Sequence, residues 1–344
     1  MKIGLDVHGG DHAPLETVKG AIEALASTKS IVVLFGNERE IKAELAKYTY
    51  DESRIEIVHT TEKVLNEDKP VKAIKSKKDS SMVVGMKQLK DNDIQGFCSA
   101  GNTGALLAGG LLKVGRIKGV DRPALCSVYP TPKGVSVLVD AGANADCKAR
   151  NLYEFAIMGS IYAQKVLGID NPKVGLVNIG AEEGKGNQLM IDTYALLKDA
   201  DLNFVGNVEA RNIPMGEVDV IVADGFTGNV ILKLSEGVVK SFSVLLKDSF
   251  MKNTLTKMSA LLLKGSLKDM KKKMDYEEYG GAPLLGCNGL LMKAHGSSKS
   301  KALKNAIIYT EKCIVNKVVE EVKEKIAKAK EVEQEQGIVE EGKA

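Results

Sequence analysis

Glycine-rich segments that carry polar side chains recur along the chain and are its most chemically informative feature. They are DVHGGDHAP (6–14), SAGNTGA (99–105), DAGAN (140–144), NIGAEEGKGN (178–187), ADGFTGN (223–229), GGAPLLGCNG (280–289) and HGSS (295–298). Glycine lets backbone N–H groups turn toward a ligand and lets the ligand approach the main chain closely. A helix that follows such a turn adds free N–H groups and a dipole that favour an anion. The set predicts an enzyme that binds an anion, with some of the segments serving only as turns.

Side chains inside these segments offer the donors that an anion needs. Lys185 lies in a loop flanked by glycines, which favours an anion contact over a merely solvated charge. Asn229 and Asn102 lie where helices are expected to begin, so each has helix capping as its alternative role. His12 and His295 can either contact a ligand or brace a turn.

The sequence lacks the common signatures of nucleotide, nucleophile and zinc sites. It has no G-x-x-x-x-G-K-[ST] loop and no G-x-S-x-G elbow, and HGGDHAP does not have the G-x-G-x-x-G spacing. The four His and five Cys residues show no zinc-ligand spacing. We therefore expect neither a metal nor a cofactor.

Short runs, most of them rich in β-branched residues, alternate with helical stretches along the chain. The expected strands are 2–7, 31–36, 54–59, 94–99, 124–129, 135–140, 173–178, 202–206 and 218–223, and the expected helices include 15–27, 38–47, 151–167 and 228–247. This alternation predicts an α/β fold, with a mostly parallel sheet covered by helices on both faces. Five of the glycine-rich segments are then expected at the carboxyl ends of strands, on one edge of the sheet: 6–14, 99–105, 140–144, 178–187 and 223–229.

Length and composition restrict the domain organisation and the partners. The 344 residues exceed the size of one ordinary core, and we expect a single two-lobed unit over 1–330 followed by a disordered tail at 331–344. Only six of the 48 basic residues are Arg and no Trp is present, which argues against a nucleic-acid partner. The odd cysteine count and the N-terminus MKIGLDVHGG, which is no signal peptide, favour the cytoplasm.

As an ordered set, the glycine-rich segments resemble the acyl-carrier-protein:phosphate acyltransferase family of bacterial phospholipid synthesis. The resemblance runs from Met1 to about Val319, and DVHGGDHAP is its most specific part. His8 departs from it, since the family more often has Met there. The resemblance implies a three-layer α/β/α fold related to phosphotransacetylases and isopropylmalate-type dehydrogenases, and it implies a homodimer.

The resemblance also implies the reaction and its partners. A fatty acyl group would move from an acyl carrier protein thioester to inorganic phosphate, and the acyl phosphate would pass to a membrane glycerol-3-phosphate acyltransferase. Phosphate is already anionic and a thiol of pKa about 8.5 leaves without a strong acid, so holding phosphate and stabilising the oxyanion are the main demands.

We assign three residues to catalysis and nine to substrate binding on this basis. Lys185 is expected to hold phosphate with His12 nearby, and Asn229 to donate to the thioester oxygen or to position the phosphate. The expected substrate-binding residues are Gly9, Gly10, Asp11, Gly101, Asn102, Thr103, Asn144, Gly228 and His295.

Three alternative functions stay open. The nearest is a phosphotransacetylase that uses a coenzyme A thioester. A dinucleotide-dependent decarboxylating dehydrogenase is disfavoured, because that chemistry usually needs an Arg cluster. The third is a non-catalytic scaffold that binds membranes.

Residues 240–275 are expected to form a protruding amphipathic helical segment. Within 247–273, apolar residues recur at helical spacing beside eight Lys and only two acidic residues. Such a helix suits an anionic membrane interface, with Leu255, Met258 and Leu262 as the inserted residues. The membrane interpretation places the protein peripherally at the inner face of the cell membrane. Dimer packing and docking of the acidic carrier protein are the two alternative roles of this segment.

Overall fold

The structure, a computed structural model, describes residues 1–335. Strands within this range are β1 (Lys2–Asp6), β2 (Ile31–Gly36), β3 (Ile55–His59), β4 (Gly96–Ser99), β5 (Ala124–Thr131), β6 (Gly134–Val139), β7 (Val174–Asn178), β8 (Phe204–Glu209), β9 (Val220–Val222), β10 (Ala282–Leu285) and β11 (Leu290–Lys293). The α-helices are α1 (Leu15–Leu25), α2 (Glu38–Leu45), α3 (Pro70–Ser76), α4 (Ser81–Lys90), α5 (Thr103–Gly109), α6 (Ala149–Tyr162), α7 (Gln188–Lys198), α8 (Gly225–Phe250), α9 (Thr254–Lys273), α10 (Ser300–Val315) and α11 (Val318–Glu335).

The strands of the described residues form one sheet in the order β3-β2-β1-β4-β11-β10-β5-β6-β9-β7-β8. Neighbours from β3 to β11 are parallel, and so are neighbours from β6 to β8. β10 is antiparallel to both of its neighbours, and β5 is antiparallel to β6. The predicted mostly parallel α/β sheet is therefore confirmed, with two antiparallel hairpins in its middle.

The expectation that these five glycine-rich loops share one edge of the sheet is wrong. The β5–β6 hairpin turns the chain back through Pro132 and Lys133, so β6, β9 and β7 run opposite to β1 and β4. Loops that follow β1 and β4 leave one edge, and loops that follow β6, β7 and β9 leave the other. Residues from the two sets of loops can therefore share one site only if an element such as a helix extends across the sheet from one edge to the other.

The segment GGAPLLGCNG, expected to be a ligand loop, contains β10. Together with β11 it forms a hairpin that joins the two halves of the sheet. Both strands have four residues, and neither APLL nor LLMK contains a β-branched residue. Pro283 also argues against a central strand. Sequence patterns for strands are weakest in such short buried runs.

Helices cover both faces of the sheet, since alternate side chains of each strand point to opposite faces. On one face, residues such as Leu5, Val139 and Val222 belong to a single large core that also contains residues of α1, α6 and α10. The other face has two separate cores, one under α3, α4 and α5 and one under the first turns of α8. The boundary between these two cores runs over β10, whose Leu284 belongs to the first and whose Ala282 belongs to the second.

Helices α8 and α9 are the least buried long elements of the described chain. Only Gly225 and Gly228 of α8 are buried, and α9 has no buried residue. None of the helices within residues 1–335 combines the length and apolar character that crossing a membrane requires. Of the tail expected to be disordered, 331–335 belong to α11, and 336–344 lie outside the described residues.

Candidate functional site

Three glycine-rich loops meet at the ends of β1, β4 and β11. The backbone N–H of Asp11 donates to the carbonyl oxygen of Gly296 at 2.8 Å, which joins loop 6–14 to loop 294–298. Gly9 lies so close to the neighbouring loop that a Cβ would be 2.7 Å from the backbone nitrogen of Gly101. Gly10 has φ +100°, a conformation that favours glycine. The structure thus brings together the predicted binding residues of these loops.

A row of three buried polar side chains lies beneath these loops. We call this row, formed by Asp6, Ser99 and Lys293, the strand-end junction. Ser99 and Lys293 are register partners on β4 and β11, and Asp6 continues the row on β1. The carboxylate of Asp6, 3% exposed, accepts from Ser99 Oγ at 2.7 Å and from Ser81 Oγ at 2.6 Å. Both of its oxygens are therefore used to position neighbouring hydroxyl groups.

Lys293 is the functional candidate that our sequence analysis missed. Its side chain is 8% exposed, and its Nζ donates to the carbonyl oxygen of Ala294. Burial lowers the pKa of Lys293 to about 8; nearby Asp6 and Asp11 oppose this change and Lys233 adds to it. The available signal is that a lysine ends the apolar run LLMK immediately before AHGSS. The sequence pattern did not predict β11, so this lysine received no role.

Helix α8 reaches the three loops through Lys233. Its Nζ donates to Nε2 of His295 at 3.3 Å and to Oε2 of Glu236 at 2.8 Å. Because an ammonium group can only donate, Nε2 accepts from it, which requires a neutral ring, and Nδ1 lies 2.9 Å from Ser297 Oγ and 3.3 Å from the backbone nitrogen of Ser297. Burial, and then Lys233, lower the pKa of His295, which favours this neutral ring.

Asp140 organises the DAGAN loop that precedes α6. This fully buried carboxylate accepts from four backbone N–H groups, those of Leu125, Gly142, Ala143 and Asn144. Burial raises its pKa, and these hydrogen bonds oppose the rise. The side-chain amide of Asn144 donates to Asp140 at 2.9 Å and to the carbonyl of Pro123 at 2.8 Å. The side-chain donors of Asn144, a predicted substrate-binding residue, are therefore used to hold this loop in place.

The start of α8 packs directly on the same loop. Asp224 caps the helix, accepting from the backbone N–H of Thr227 at 2.9 Å. A Cβ on Gly228 would lie 2.0 Å from the carbonyl oxygen of Asp140. Asn229 donates to the carbonyl oxygen of Ala141 at 3.3 Å.

Asn229 and Lys233 lie one turn apart on the same side of α8. Residues four apart in a helix have Cβ atoms about 6 Å apart. The helix thus carries Asn229, beside the DAGAN loop, and Lys233, beside His295, along one line. This line connects loops from opposite edges of the sheet and brings Asn229 toward the strand-end junction.

Other predicted residues near the junction have structural contacts or solvent exposure. The Asn102 amide donates to the carbonyls of Leu65 and Asn66, both at 3.1 Å, and its Oδ1 caps α5 by accepting from the N–H of Ala105 at 2.9 Å. Thr103 is the first residue of α5. His12 is exposed just before α1.

Lys185 lies apart from the other candidates within one protomer. It is exposed in the loop after β7, and among the described residues its hydrogen bonds stay in that loop or reach Asn178 at the end of β7. Six strand positions separate β7 from β4, which corresponds to about 29 Å at 4.8 Å per strand. The single chain therefore does not bring Lys185 to the strand-end junction.

The buried cysteines are unsuited to nucleophilic catalysis. Burial raises the pKa of Cys98 to about 12 and that of Cys287 to about 12, so neither forms a thiolate at neutral pH. No group of three or more His, Cys, Asp or Glu side chains in the described range is placed to hold a metal ion. The groups available for chemistry here are ammonium groups, backbone N–H groups and neutral amides.

Comparison with known proteins adds a family to this geometry. The family model described as "Fatty acid synthesis protein" matches residues 1–321. The chain belongs to that family. It is 61% identical to a phosphate acyltransferase of Alkaliphilus oremlandii, with 95% of this chain and 98% of the relative covered. It is 53% identical to a phosphate acyltransferase of Clostridioides difficile, with 96% and 98% covered.

Solved structures show the same fold at low sequence identity. A phosphotransacetylase from Streptococcus pyogenes matches with a TM-score of 0.62 and 15% identity, covering 92% of this chain and 94% of that one. A 4-hydroxythreonine-4-phosphate dehydrogenase from Klebsiella pneumoniae matches with a TM-score of 0.50 and 11% identity, covering 91% and 97%. The predicted relation to phosphotransacetylase-like and dehydrogenase-like folds is confirmed.

Proposed function

We propose that this chain transfers a fatty acyl group from an acyl carrier protein thioester to inorganic phosphate, which yields an acyl phosphate for phospholipid synthesis. Membership in a fatty acid synthesis family and relatives named phosphate acyltransferase support the proposal. The structural observation that carries it is the meeting of glycine-rich loops with two lysines, Lys233 and Lys293, at the strand-end junction.

The reaction requires cations and N–H donors, which are the kinds of group that this site contains. A phosphate oxygen attacks the carbonyl carbon, the new C–O bond forms, the C–S bond breaks, and the departing thiolate takes a proton from solvent. Cations hold the phosphate against the carbonyl, and N–H donors stabilise the oxyanion of the tetrahedral intermediate. The absence of a reactive cysteine is compatible with direct attack by phosphate.

Asn229 fits the carbonyl side of this reaction, since its amide faces the DAGAN loop beside the same helix face that carries Lys233. His12, Asp11, Gly9, Gly10 and Gly101 fit the phosphate side, on the loops around the strand-end junction. For Asn102, Thr103, Asn144 and Gly228 we propose indirect roles, in which they shape the loops and helix starts that contact the substrates. His295 would orient Lys233.

A homodimer is part of this proposal. Helix α8 exposes an apolar stripe with a spacing of four residues, formed by Phe226, Val230, Leu234, Val238 and Phe242. Exposed apolar stripes of this kind commonly mark protein interfaces. A second copy packed on the stripe would remove it from water.

Helix α9 supports a contact with an anionic membrane, where a glycerol-3-phosphate acyltransferase would receive the acyl phosphate. Leu255 is 75% exposed and Leu262 is 88% exposed, with Met258 between them. Lysines of the same helix would interact with anionic headgroups. Packing in the dimer and docking of the acidic carrier protein stay as alternatives for this helix.

A hydroxamate trap tests the proposed function. The purified protein, incubated with palmitoyl acyl carrier protein and phosphate, should form acyl hydroxamate on addition of hydroxylamine in excess of the amount that hydroxylamine forms directly from the thioester, and this excess should vanish when phosphate is omitted. Replacing the carrier protein by palmitoyl coenzyme A tests the phosphotransacetylase alternative, which predicts the faster turnover with coenzyme A. The absence of phosphate-dependent hydroxamate with both donors would reject both functions.

A further inference from the structure

Lys293 is an unusual residue in this molecule, because it is the only Lys or Arg among the described residues whose side chain is buried. Burying a charge without a compensating partner is costly, and natural proteins rarely retain one without a role. The position is also specific: Lys293 ends β11 in the same row as Asp6 and Ser99, directly below the loops at Asp11 and Gly296.

The ammonium group of Lys293 has unused hydrogen-bonding capacity. Three N–H donors are available, and the structure gives one acceptor, the carbonyl oxygen of Ala294. The nearby carboxylate of Asp6 accepts from Ser81 and Ser99, and no hydrogen bond from Lys293 to it is found among the described residues. Among the described ion pairs none includes Lys293, so its charge is near carboxylates but not neutralised by direct contact.

A second cation approaches the same place from α8. Lys233 donates to His295, which lies two residues beyond Lys293 in the chain. An anion between two ammonium groups offsets their mutual repulsion, and Glu236 at 2.8 Å already compensates part of the charge of Lys233. The loops around this place pack closely through glycine: a Cβ on Gly10 would lie 3.1 Å from the carbonyl oxygen of Gly296, and one on Gly296 would lie 3.7 Å from the Asp11 carboxylate.

We propose that Lys293 is the principal phosphate-binding residue of this chain and that Lys233 is its second cationic contact. The inference rests on the proposed function and names the group that holds the attacking phosphate. The lysine ammonium binds phosphate oxygens before attack and keeps its proton throughout. It remains on the phosphate of the acyl phosphate when the thiolate leaves.

Direct measurement of phosphate binding separates this inference from the proposed function. We would compare the full-length protein with its Lys293→Met and Lys233→Met variants by calorimetric titration with inorganic phosphate. Lys299→Met and Lys240→Met are matched controls: each removes the same charge at an exposed position near one of the two lysines. The hydroxamate assay is run on all five proteins.

We expect Lys293→Met to weaken phosphate binding by on the order of 100-fold and Lys233→Met by about tenfold, with both controls unchanged. Phosphate binding by Lys293→Met within threefold of the wild type would overturn the inference, even if the wild type forms acyl phosphate. Conversely, phosphate binding that depends on Lys293, without acyl phosphate formation, would reject the proposed function and leave the anion site standing. Should Lys293→Met fail to fold, Lys293→Gln is measured against the same threshold.

Discussion

At the scale of single residues, Lys293 is expected to reduce stability. Its folded-state pKa of about 8 lies below the ordinary 10.5, so the unfolded chain binds this proton more tightly than the folded chain. The penalty is fully present below pH 8 and fades as the pH rises toward 10.5. A difference of this size corresponds to about 3 kcal/mol.

The first prediction is that Lys293→Met stabilises the fold while it abolishes turnover. Methionine fits a similar volume and removes the buried charge, so the free energy of unfolding at pH 7 should increase, by at most about 3 kcal/mol. Urea denaturation at pH 7, with the trapping assay in parallel, measures both effects. A lysine with a purely structural role would instead show a loss of stability on replacement, and that result would contradict our assignment.

The second prediction concerns pH. Above about pH 8 Lys293 loses its proton, so kcat/KM for phosphate should fall about tenfold per pH unit. Asp6 and Asp11 face this lysine and favour its charged form, whereas Lys233 disfavours it; His295, neutral here, adds no charge.

Lys293→Arg keeps a charge at every pH up to 10. If that variant is active, the alkaline fall in its profile should disappear. The same fall in both proteins would assign it to another group.

At the scale of elements, the start of α8 is the part of the site most sensitive to backbone changes. A Cβ on Gly228 would meet the Asp140 carbonyl at 2.0 Å, so Gly228→Ala must displace the helix that carries Asn229 and Lys233. We expect turnover to fall more than tenfold and the melting temperature to drop by several degrees.

Gly237 provides the control on the same helix, because a Cβ there meets nothing within 4 Å. Gly237→Ala should stabilise the protein by about 0.5–1 kcal/mol, through helix propensity, and leave turnover unchanged. Equal losses in the two alanine variants would show that α8 as a whole, and not its contact with Asp140, is sensitive to substitution.

Helix α9 yields the fourth prediction. Leu255→Glu and Leu262→Glu should each reduce flotation with vesicles that contain phosphatidylglycerol, because each replaces an exposed apolar contact with a negative charge. Ser259→Glu adds the same charge at an exposed polar position of the helix and should reduce flotation less. Undiminished flotation of both Leu variants would exclude the membrane reading and favour dimer packing or carrier docking.

The elements also show where sequence reasoning succeeds and where it stops. The run IVVLFG predicted β2 at its observed bounds, because it is long, apolar and rich in β-branched residues. β8 lies at Phe204–Glu209 instead of 202–206, a shift of the kind expected where a strand is only partly buried. β10 and β11 were missed because their short runs APLL and LLMK contain no β-branched residue and APLL includes a proline, and Lys293 was missed with them.

At the scale of the whole molecule, the reversal of strand direction decides which candidates share a site. The loops 6–14 and 99–105 were predicted to share an edge and do so, because β1 and β4 are parallel neighbours. The loop around His295 joins them through β11, a strand that was not predicted. Asn229 approaches them only because α8 crosses between the two edges. Lys185 does not, since its loop follows a strand on the far side of the β5–β6 hairpin. Local sequence patterns contain no information on that reversal.

The fifth prediction follows for Lys185. If it contacts phosphate as the sequence suggests, a second copy must supply it. We then expect Lys185→Ala to be inactive and mixed dimers of Lys185→Ala with Lys293→Met subunits to recover up to about half of the wild-type turnover, because one of their two sites is intact. If the mixed dimers are inactive, Lys185 and Lys293 either belong to separate sites or act together within the same subunit. Wild-type turnover by Lys185→Ala would remove Lys185 from the mechanism.

The position of β10 and β11 in the middle of the sheet has a consequence during synthesis on the ribosome. β4 and β5 leave the ribosome long before the β10–β11 hairpin that lies between them in the sheet. A nascent chain that ends before residue 280 therefore has two partial sheets, each with an uncovered inner edge. Uncovered edges pair readily with other chains. A truncated message is therefore expected to yield an aggregating product that needs chaperones, and release of the last sixty or so residues is the step that closes the sheet.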